Sequence, residues 1–193
     1  TPALLSLGEV QRVLQQLLEE GIAIRDLVRI YEALSLKAAQ TKDVDALVDA
    51  ARTALGPAVV APYVAGGTVH VLSFDPVFEQ RLLESLRHGE QGATLVLDPV
   101  TAQTIIGGLA QHLVQAENHN IRPVLVCAPQ LRAAVRRLVR PAIDRLAVLA
   151  YPELSGTAQV RSVGVVGGER NSVLVGEQPA AAPAPVSSVA MGA

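Results

Sequence analysis

Apolar residues at Val10, Val13, Leu14, Leu17 and Leu18 recur every three to four positions and predict an amphipathic helix. Ser6-Leu7-Gly8-Glu9 just before them reads as a capping box. The Ser6 hydroxyl accepts a first-turn amide while the Glu9 carboxylate reaches back to the Ser6 amide, and Gly21 supplies the stop. A second periodic set, Leu27, Ile30, Tyr31, Leu34 and Ala38, carries Arg25, Arg29 and Glu32 on its other face. Thr41 or Asp43 can cap a third helix through Val44, Leu47, Val48, Ala51 and Leu55, with its end expected at Gly56-Pro57. The first 56 residues therefore read as all-helical.

Beyond them the period shortens. Thr68–Phe74 is a strand candidate that runs into Asp75-Pro76, from which Val77, Phe78, Leu82, Leu83 and Leu86 mark a helix to about His88. The unit recurs at Ala93–Leu97, Asp98-Pro99 and a long helix to about Asn118, and again at Pro123–Cys127, Ala128-Pro129 and a helix to about Arg140. Further strands are predicted at Leu146–Tyr151 and Gln159–Val166. Strand and helix in alternation argue for a layered α/β part behind the helical one, an α+β or α/β fold class overall. From Gly167 onward Ala, Pro and Ser dominate without periodicity, and residues 167–193 read as a disordered tail.

Composition narrows the function classes. Half of the 193 residues are hydrophobic but 3% are aromatic, so the interior must be aliphatic and stacking platforms for bases are scarce. With 16 Lys+Arg against 18 Asp+Glu and a pI near 6.1, the chain lacks the basic footprint that drives non-specific nucleic-acid binding. The single cysteine, Cys127, excludes an internal disulfide framework and a cysteine-based metal cage. Mean hydropathy is +0.34, yet charge, Pro or Gly interrupts every apolar stretch before the roughly 20 residues a membrane-spanning helix needs. Thr1-Pro2-Ala3-Leu4-Leu5 has no basic region of a signal peptide and no initiator Met, so the chain is expected to be a piece of a longer one.

Candidate chemistry is sparse. Gly66-Gly67, Gly107-Gly108 and Gly167-Gly168 complete neither a dinucleotide nor a phosphate-loop motif. Gly107-Gly108, inside a helix, suits close packing or a break. Among His70, His88, His112 and His119, only the last two share a helix, and seven residues separate them, which is too far for joint chelation. Cys127 lies in an apolar run and reads as a buried thiol. Asp75 and Asp98 read as helix N-caps followed by Pro at the first helical position; an alternative makes them the acids of a ligand-binding or catalytic α/β domain. Arg132, Arg136 and Arg140 fall on one helical stripe and form either a solvated face or a contact surface for an acidic partner or an anionic lipid. A third alternative hears the first two helices as a helix-turn-helix with Arg25 and Arg29 reading bases, against which Asp26, Glu32 and the overall charge weigh.

The unbroken run Leu5-Ser6-Leu7-Gly8-Glu9 through Glu19-Glu20-Gly21-Ile22-Ala23-Ile24-Arg25-Asp26-Leu27 resembles a stretch in the cytoplasmic half of the FlhA/LcrD/InvA (FHIPEP) family of flagellar and injectisome type III export-gate proteins. Ala54-Leu55-Gly56, Asp75-Pro76 with Phe78-Glu79-Gln80-Arg81-Leu82-Leu83, Arg122 to Arg132 and Leu146 to Leu154 are similar to the same family in the same order, over roughly residues 3 to 166, and the wording leans flagellar. The resemblance implies that residues 1–62 correspond to a helical third subdomain and 63–166 to an α/β fourth subdomain. It implies a parent in the bacterial inner membrane, with this piece on the cytoplasmic face and membrane contact only through the missing N-terminal half. It further implies a nonameric ring, partners among export components and chaperone–substrate complexes, no nucleic acid, no cofactor, no metal and no enzymatic activity. Arg25, Asp26, Arg29 and Glu32, on the helices expected at 6–20 and 25–39, are then candidates for contacts between ring neighbours, and Arg132, Arg136 and Arg140 for contacts with partners.

Overall fold

The computed structural model describes residues 5–89, 92–156 and 159–167; the predicted tail, apart from Gly167, lies outside them. Helix α1 spans Leu7–Glu19, with the Ser6–Glu9 capping box in place: Ser6 N donates to Glu9 Oε2 at 2.6 Å and Glu9 N to Ser6 Oγ at 3.2 Å. Gly21 ends it with φ +73°. Helix α2 spans Leu27–Ala38 with Asp26 as cap, and α3 spans Val44–Ala54 with Asp43 as cap. Helix α3 ends just before Gly56-Pro57, as the sequence suggested, and the chain stays helical beyond it. Pro57 sits in the first turn of a short helix α4, Gly56–Val60, where its missing amide is no loss, and a 3₁₀ turn follows at Ala61–Tyr63.

Strand β1 (Val64–Ala65) pairs antiparallel with the start of β2 (Thr68–Phe74). Asp75 accepts from the amides of Val77 and Phe78 at 3.0 and 3.2 Å and starts α5, Pro76–Glu84. That helix ends before the expected His88. Leu86–Gly89 is strand β3, which turns back on β4, Gly92–Leu95, as a separate antiparallel hairpin. The segment predicted as a second strand of the main sheet is thus half of this hairpin. Asp98 caps α6, Pro99–Asn118, accepting the Thr101 amide at 2.9 Å. Strand β5 is Val124–Cys127 and α7 is Pro129–Val139. The cap residue of α7, Ala128, has no side-chain acceptor; Glu79 of α5 supplies one, taking the Ala128 amide at 2.7 Å. Strands β6 (Val148–Ala150) and β7 (Gln159–Val166) close the list.

Strand β2 is the hub of the main sheet, pairing in parallel with β5 and with β7, while β6 pairs in parallel with β5. Where β2 passes from Val71 to Leu72, β7 steps from Ser162 to Gly164 and leaves Val163 bulged. Gly164 is required there: a Cβ would stand 2.7 Å from the His112 ring and 2.9 Å from Leu72. In α6, Gly108 lets Val166 approach to 3.0 Å of where its Cβ would be, which accounts for one of the two helical glycines by packing.

Alternation along the strands divides the core. Leu72, Phe74, Leu125 and Cys127 face α5, α6 and α7 in one apolar cluster; Val69, Val71, Val124, Val126 and Leu149 face the other way. That second face is covered by Val13, Leu17, Leu47, Val48, Ala51, Val59 and Val60 of the N-terminal helices. The sheet is therefore a middle layer, and the helical part and the α/β part share a core across it.

Candidate protein-contact surface

Helix α2 turns Ile30, Leu34 and Ala38 inward. Its outer side is more apolar than its sequence period implied, since Leu27 and Tyr31, expected inside, are exposed. Val28, Glu32 and Leu36 follow one another at four-residue spacing along this side, with Val28 68% and Leu36 75% exposed. Arg25 and Arg29 lie beside them, also exposed, and Arg29 Nε pairs with the capping Asp26 at 3.2 Å. On α1, Leu18 is likewise 54% exposed, against its predicted place in the core. Arg25, Asp26, Arg29 and Glu32 thus stand among large apolar side chains that face solvent.

The α7 stripe separates into three environments. Arg140 is exposed, with Asp144 Oδ1 3.8 Å from its Nε. Arg136 is partly buried, its Nε 3.6 Å from Glu20 Oε1; burial and the neighbouring Arg140 lower its proton affinity against the pull of Glu20. Arg132 is no surface residue. It is 1% exposed, its Nε donates to Asp49 Oδ1, and its Nη1 donates to Glu20 Oε2 at 2.8 Å. The stripe looks solvated by spacing alone, but Leu131, Ala133, Ala134 and Val135 around Arg132 are buried too, so this turn of α7 is enclosed on all sides.

What encloses it is α3. Asp45, Asp49 and Arg52 lie at i, i+4 and i+7 on one stripe of that helix, and each meets an opposite charge of the α/β part. Arg52 makes a two-point contact with Glu153, Nε to Oε1 at 2.6 Å and Nη2 to Oε2 at 3.0 Å, and its Nη1 donates to Glu20. Glu153 also accepts the Ala150 amide at 3.1 Å. Arg137 donates to Asp45 Oδ2 at 2.9 Å and to the Ala93 carbonyl at 2.6 Å, while the Ala93 amide donates to the same Asp45 oxygen at 2.8 Å. This three-way clamp pins the β3–β4 hairpin, and Gly92, with φ +97°, is needed because a Cβ would meet Asp45 Oδ2 at 2.4 Å. The sequence signal for this seam was two helical stripes of opposite charge, Asp45–Asp49 and Arg132–Arg136/Arg137, each bordered by apolar residues.

Three carboxylates, Glu20, Asp49 and Glu153, share two fully buried guanidinium groups. Burial pushes the Asp49 pKa up to about 6, with the Arg132 charge and hydrogen bond pulling the other way. Burial alone would lower the Arg132 pKa, but Asp49 and Glu20 reverse that and hold its proton more tightly than usual. Because the folded value of Asp49 lies above the unfolded one, the folded chain binds an extra proton between about pH 4 and about pH 6. This group's contribution therefore improves as pH falls through that window and is least favourable at neutral pH. Asp49→Asn is expected to abolish the gain. The unfolding free-energy difference between wild type and variant, from urea melts at about pH 4.5 and about pH 7, should move by about 2 kcal/mol in favour of wild type at the lower pH. An equal difference at both pH values would refute it.

The remaining candidates have structural surroundings. Asp75 and Asp98 aim their oxygens at helix-start amides, and the Thr101 hydroxyl and amide hold the Asp98 carboxyl below the usual range. Cys127 is buried, and burial pushes its thiol up. His112 is buried against Gly164, its Nε2 3.3 Å from the Val165 carbonyl and its Nδ1 without a hydrogen-bond partner among the described residues. Among the described residues no group of three His, Cys, Asp or Glu side chains could hold a metal ion, and no helix is long and apolar enough to cross a membrane.

Comparison with known proteins matches residues 1–159 to the FHIPEP family. The chain is 32% identical over 167 residues to the flagellar biosynthesis protein FlhA of Bacillus subtilis, covering 86% of this chain and 25% of that protein; it thus spans about a quarter of the length of such relatives. Among solved structures it is similar to nonameric SctV-C of EPEC, with 28% identity, a TM-score of 0.76 and 85% of this chain aligned to 49% of that one. It is also similar to the Chlamydia pneumoniae CdsV and CdsO protein complex, with 25% identity, a TM-score of 0.73 and coverage of 86% and 49%.

Proposed function

Since the chain belongs to the FHIPEP family, with flagellar and type III export-gate proteins as its relatives, we propose that it is the two-part C-terminal end of an export gate's cytoplasmic region. It acts as a ring scaffold and as a docking platform for export components and chaperone–substrate complexes at the inner membrane. It works by contact and not by bond chemistry. The observation that carries this reading is the outer side of α2, where Val28, Tyr31 and Leu36 are exposed among Arg25, Asp26, Arg29 and Glu32. Apolar area drives association and the interspersed charges fix the register of neighbours. The nonameric assembly of the EPEC relative supports a ring, and the CdsV–CdsO complex supports a docking role. The carboxylates at strand ends support the absence of chemistry, since they tie off helices α5 and α6.

Isolated from its parent, the chain is expected to be monomeric when dilute and to self-associate reversibly as concentration rises. Val28→Glu combined with Leu36→Glu should abolish that association in sedimentation velocity while leaving the circular dichroism melt in place. Association unchanged by the double variant would overturn the assignment of this face, and nucleotide hydrolysis by the pure chain would overturn the scaffold reading.

A further inference from the structure

Strand β7 is an eight-residue edge. It pairs with β2 on one side, and among the described residues no strand lies on the other. It carries neither Pro nor Lys, the residues that commonly guard such an edge, and its one charge is Arg161. Val160 and Val165 stand half-exposed along it. At its far end Asp75 N donates to the Val166 carbonyl at 2.8 Å, which points that carbonyl at β2. Alternation then turns the main-chain groups of Val165 to the outer side. His112 Nε2 lies 3.3 Å from the Val165 carbonyl, which keeps a second lone pair for another donor. Beside it a groove of about 250 Å³ opens between α6 and β7, lined by Thr104, Gly108, Gln111 and His112. Gly167 follows with φ +91°, and a Cβ there would collide with the Phe78 ring, so a residue suited to starting a reversal stands where β7 ends.

The sequence that follows supplies a matching strand. Gly167-Gly168-Glu169-Arg170-Asn171 is a glycine-rich connection of hairpin length, and Ser172-Val173-Leu174-Val175 is an apolar, β-branched run that Gly176 closes. From this geometry we infer that residues 172–175 of this chain add to the outer edge of β7 as an antiparallel strand. A connection of five residues, 167–171, sets Ser172 opposite Val166, Val173 opposite Val165 and Leu174 opposite Gly164. Opposed residues share a side of the sheet. Val173 therefore extends the half-exposed apolar strip of Val165, while Leu174 takes the α6 side, next to the His112 ring that sits over Gly164 and the open groove. In that register the Val173 amide donates to the Val165 carbonyl, and the Val173 carbonyl accepts from the Val165 amide. Tethered by so short a connection, the run meets the edge at an effective concentration in the millimolar range, ahead of a free segment of another molecule. The edge is then closed within the chain, and contacts with neighbours fall to helical faces such as that of α2. The inference goes beyond the export reading and does not depend on it.

The test uses the full 193-residue chain, isotopically labelled for magnetic resonance. The Val165 and Val173 amides are expected to exchange with deuterium at least about a hundredfold more slowly than in an unstructured chain. Gly164 and Leu174, the next pair away from the turn, should show a contact between their α-hydrogens. Val173→Pro removes the donor to Val165 and should speed exchange at Val165 about tenfold or more, while the amides of β2 and β5 keep their rates. Exchange of Val173 at the free-chain rate, or a Val165 amide indifferent to Val173→Pro, would overturn the proposal. So would protection of Val165 that rises with protein concentration and survives deletion of residues 168–193, since a second copy would then hold the edge.

Discussion

Replacing Arg132 by methionine is expected to destabilise the chain by about 3–5 kcal/mol. Methionine nearly preserves the length of the side chain, so the loss reports on charge more than on a cavity. Asp49 would lose its hydrogen-bonded guanidinium, and Glu20 would keep only Arg52 and the more distant Arg136. A buried carboxylate without a counter-ion bears its full desolvation cost, whereas an exposed arginine on a helix face contributes less than about 1 kcal/mol. Chemical denaturation at neutral pH separates the two cases. A second substitution, Asp49→Leu, should restore a large part of the loss because it removes the stranded charge. A cost under about 1 kcal/mol for the single variant, or no recovery in the double, would show Arg132 to be an ordinary surface residue after all.

The second large effect concerns the layer order. Expressed without its first 62 residues, the remainder is expected to lose its cooperative thermal transition and to bind a hydrophobic dye. The deletion uncovers Val69, Val71, Val124, Val126 and Leu149, five side chains that are almost fully buried. At roughly 2 kcal/mol each, their burial amounts to about 10 kcal/mol, as much as the whole net stability of a typical domain. It also removes Arg52 from Glu153, whose side chain has no exposure. A sharp, near-native melt of the truncated chain would disprove the shared core.

Much of this fold was legible because its local signals are strong. Ser6 with Glu9, Asp75 and Asp98 stand where main-chain amides have no helical partner, and the alternation of Val124 and Val126 with Leu125 and Cys127 shows a strand buried on both faces. Two misreadings have a common cause. Leu86 continues the spacing of Leu82 and Leu83, and nothing between it and Gly89 says that the helix has ended; likewise Ala93–Leu97 runs into Asp98-Pro99 as the sheet strands run into their helices. Period identifies a strand but not the partner it pairs with, and here the partner is the adjacent β3. The exposure of the candidate contact residues was half legible. Arg25, Asp26, Arg29 and Glu32 are as exposed as their face suggested, while the exposure of Val28 and Leu36 beside them has no signature in the charge pattern. Arg132 was misplaced because its acid lies 83 residues away on α3, beyond any local pattern.

The charged stripe of α3 also limits how the molecule can deform. Apolar layers glide over one another at modest cost, but here Asp45, Asp49 and Arg52 each face a fixed opposite charge. Displacing α3 along its axis by one turn, about 5.4 Å, would carry Arg52 towards Arg132 and set cation against cation. Shear between the two layers is thereby locked out, which leaves rigid-body travel or a hinge that opens the whole seam at once. A push delivered at α3 is thus carried to the α/β part through three ion pairs, as through a lever instead of a sliding bearing.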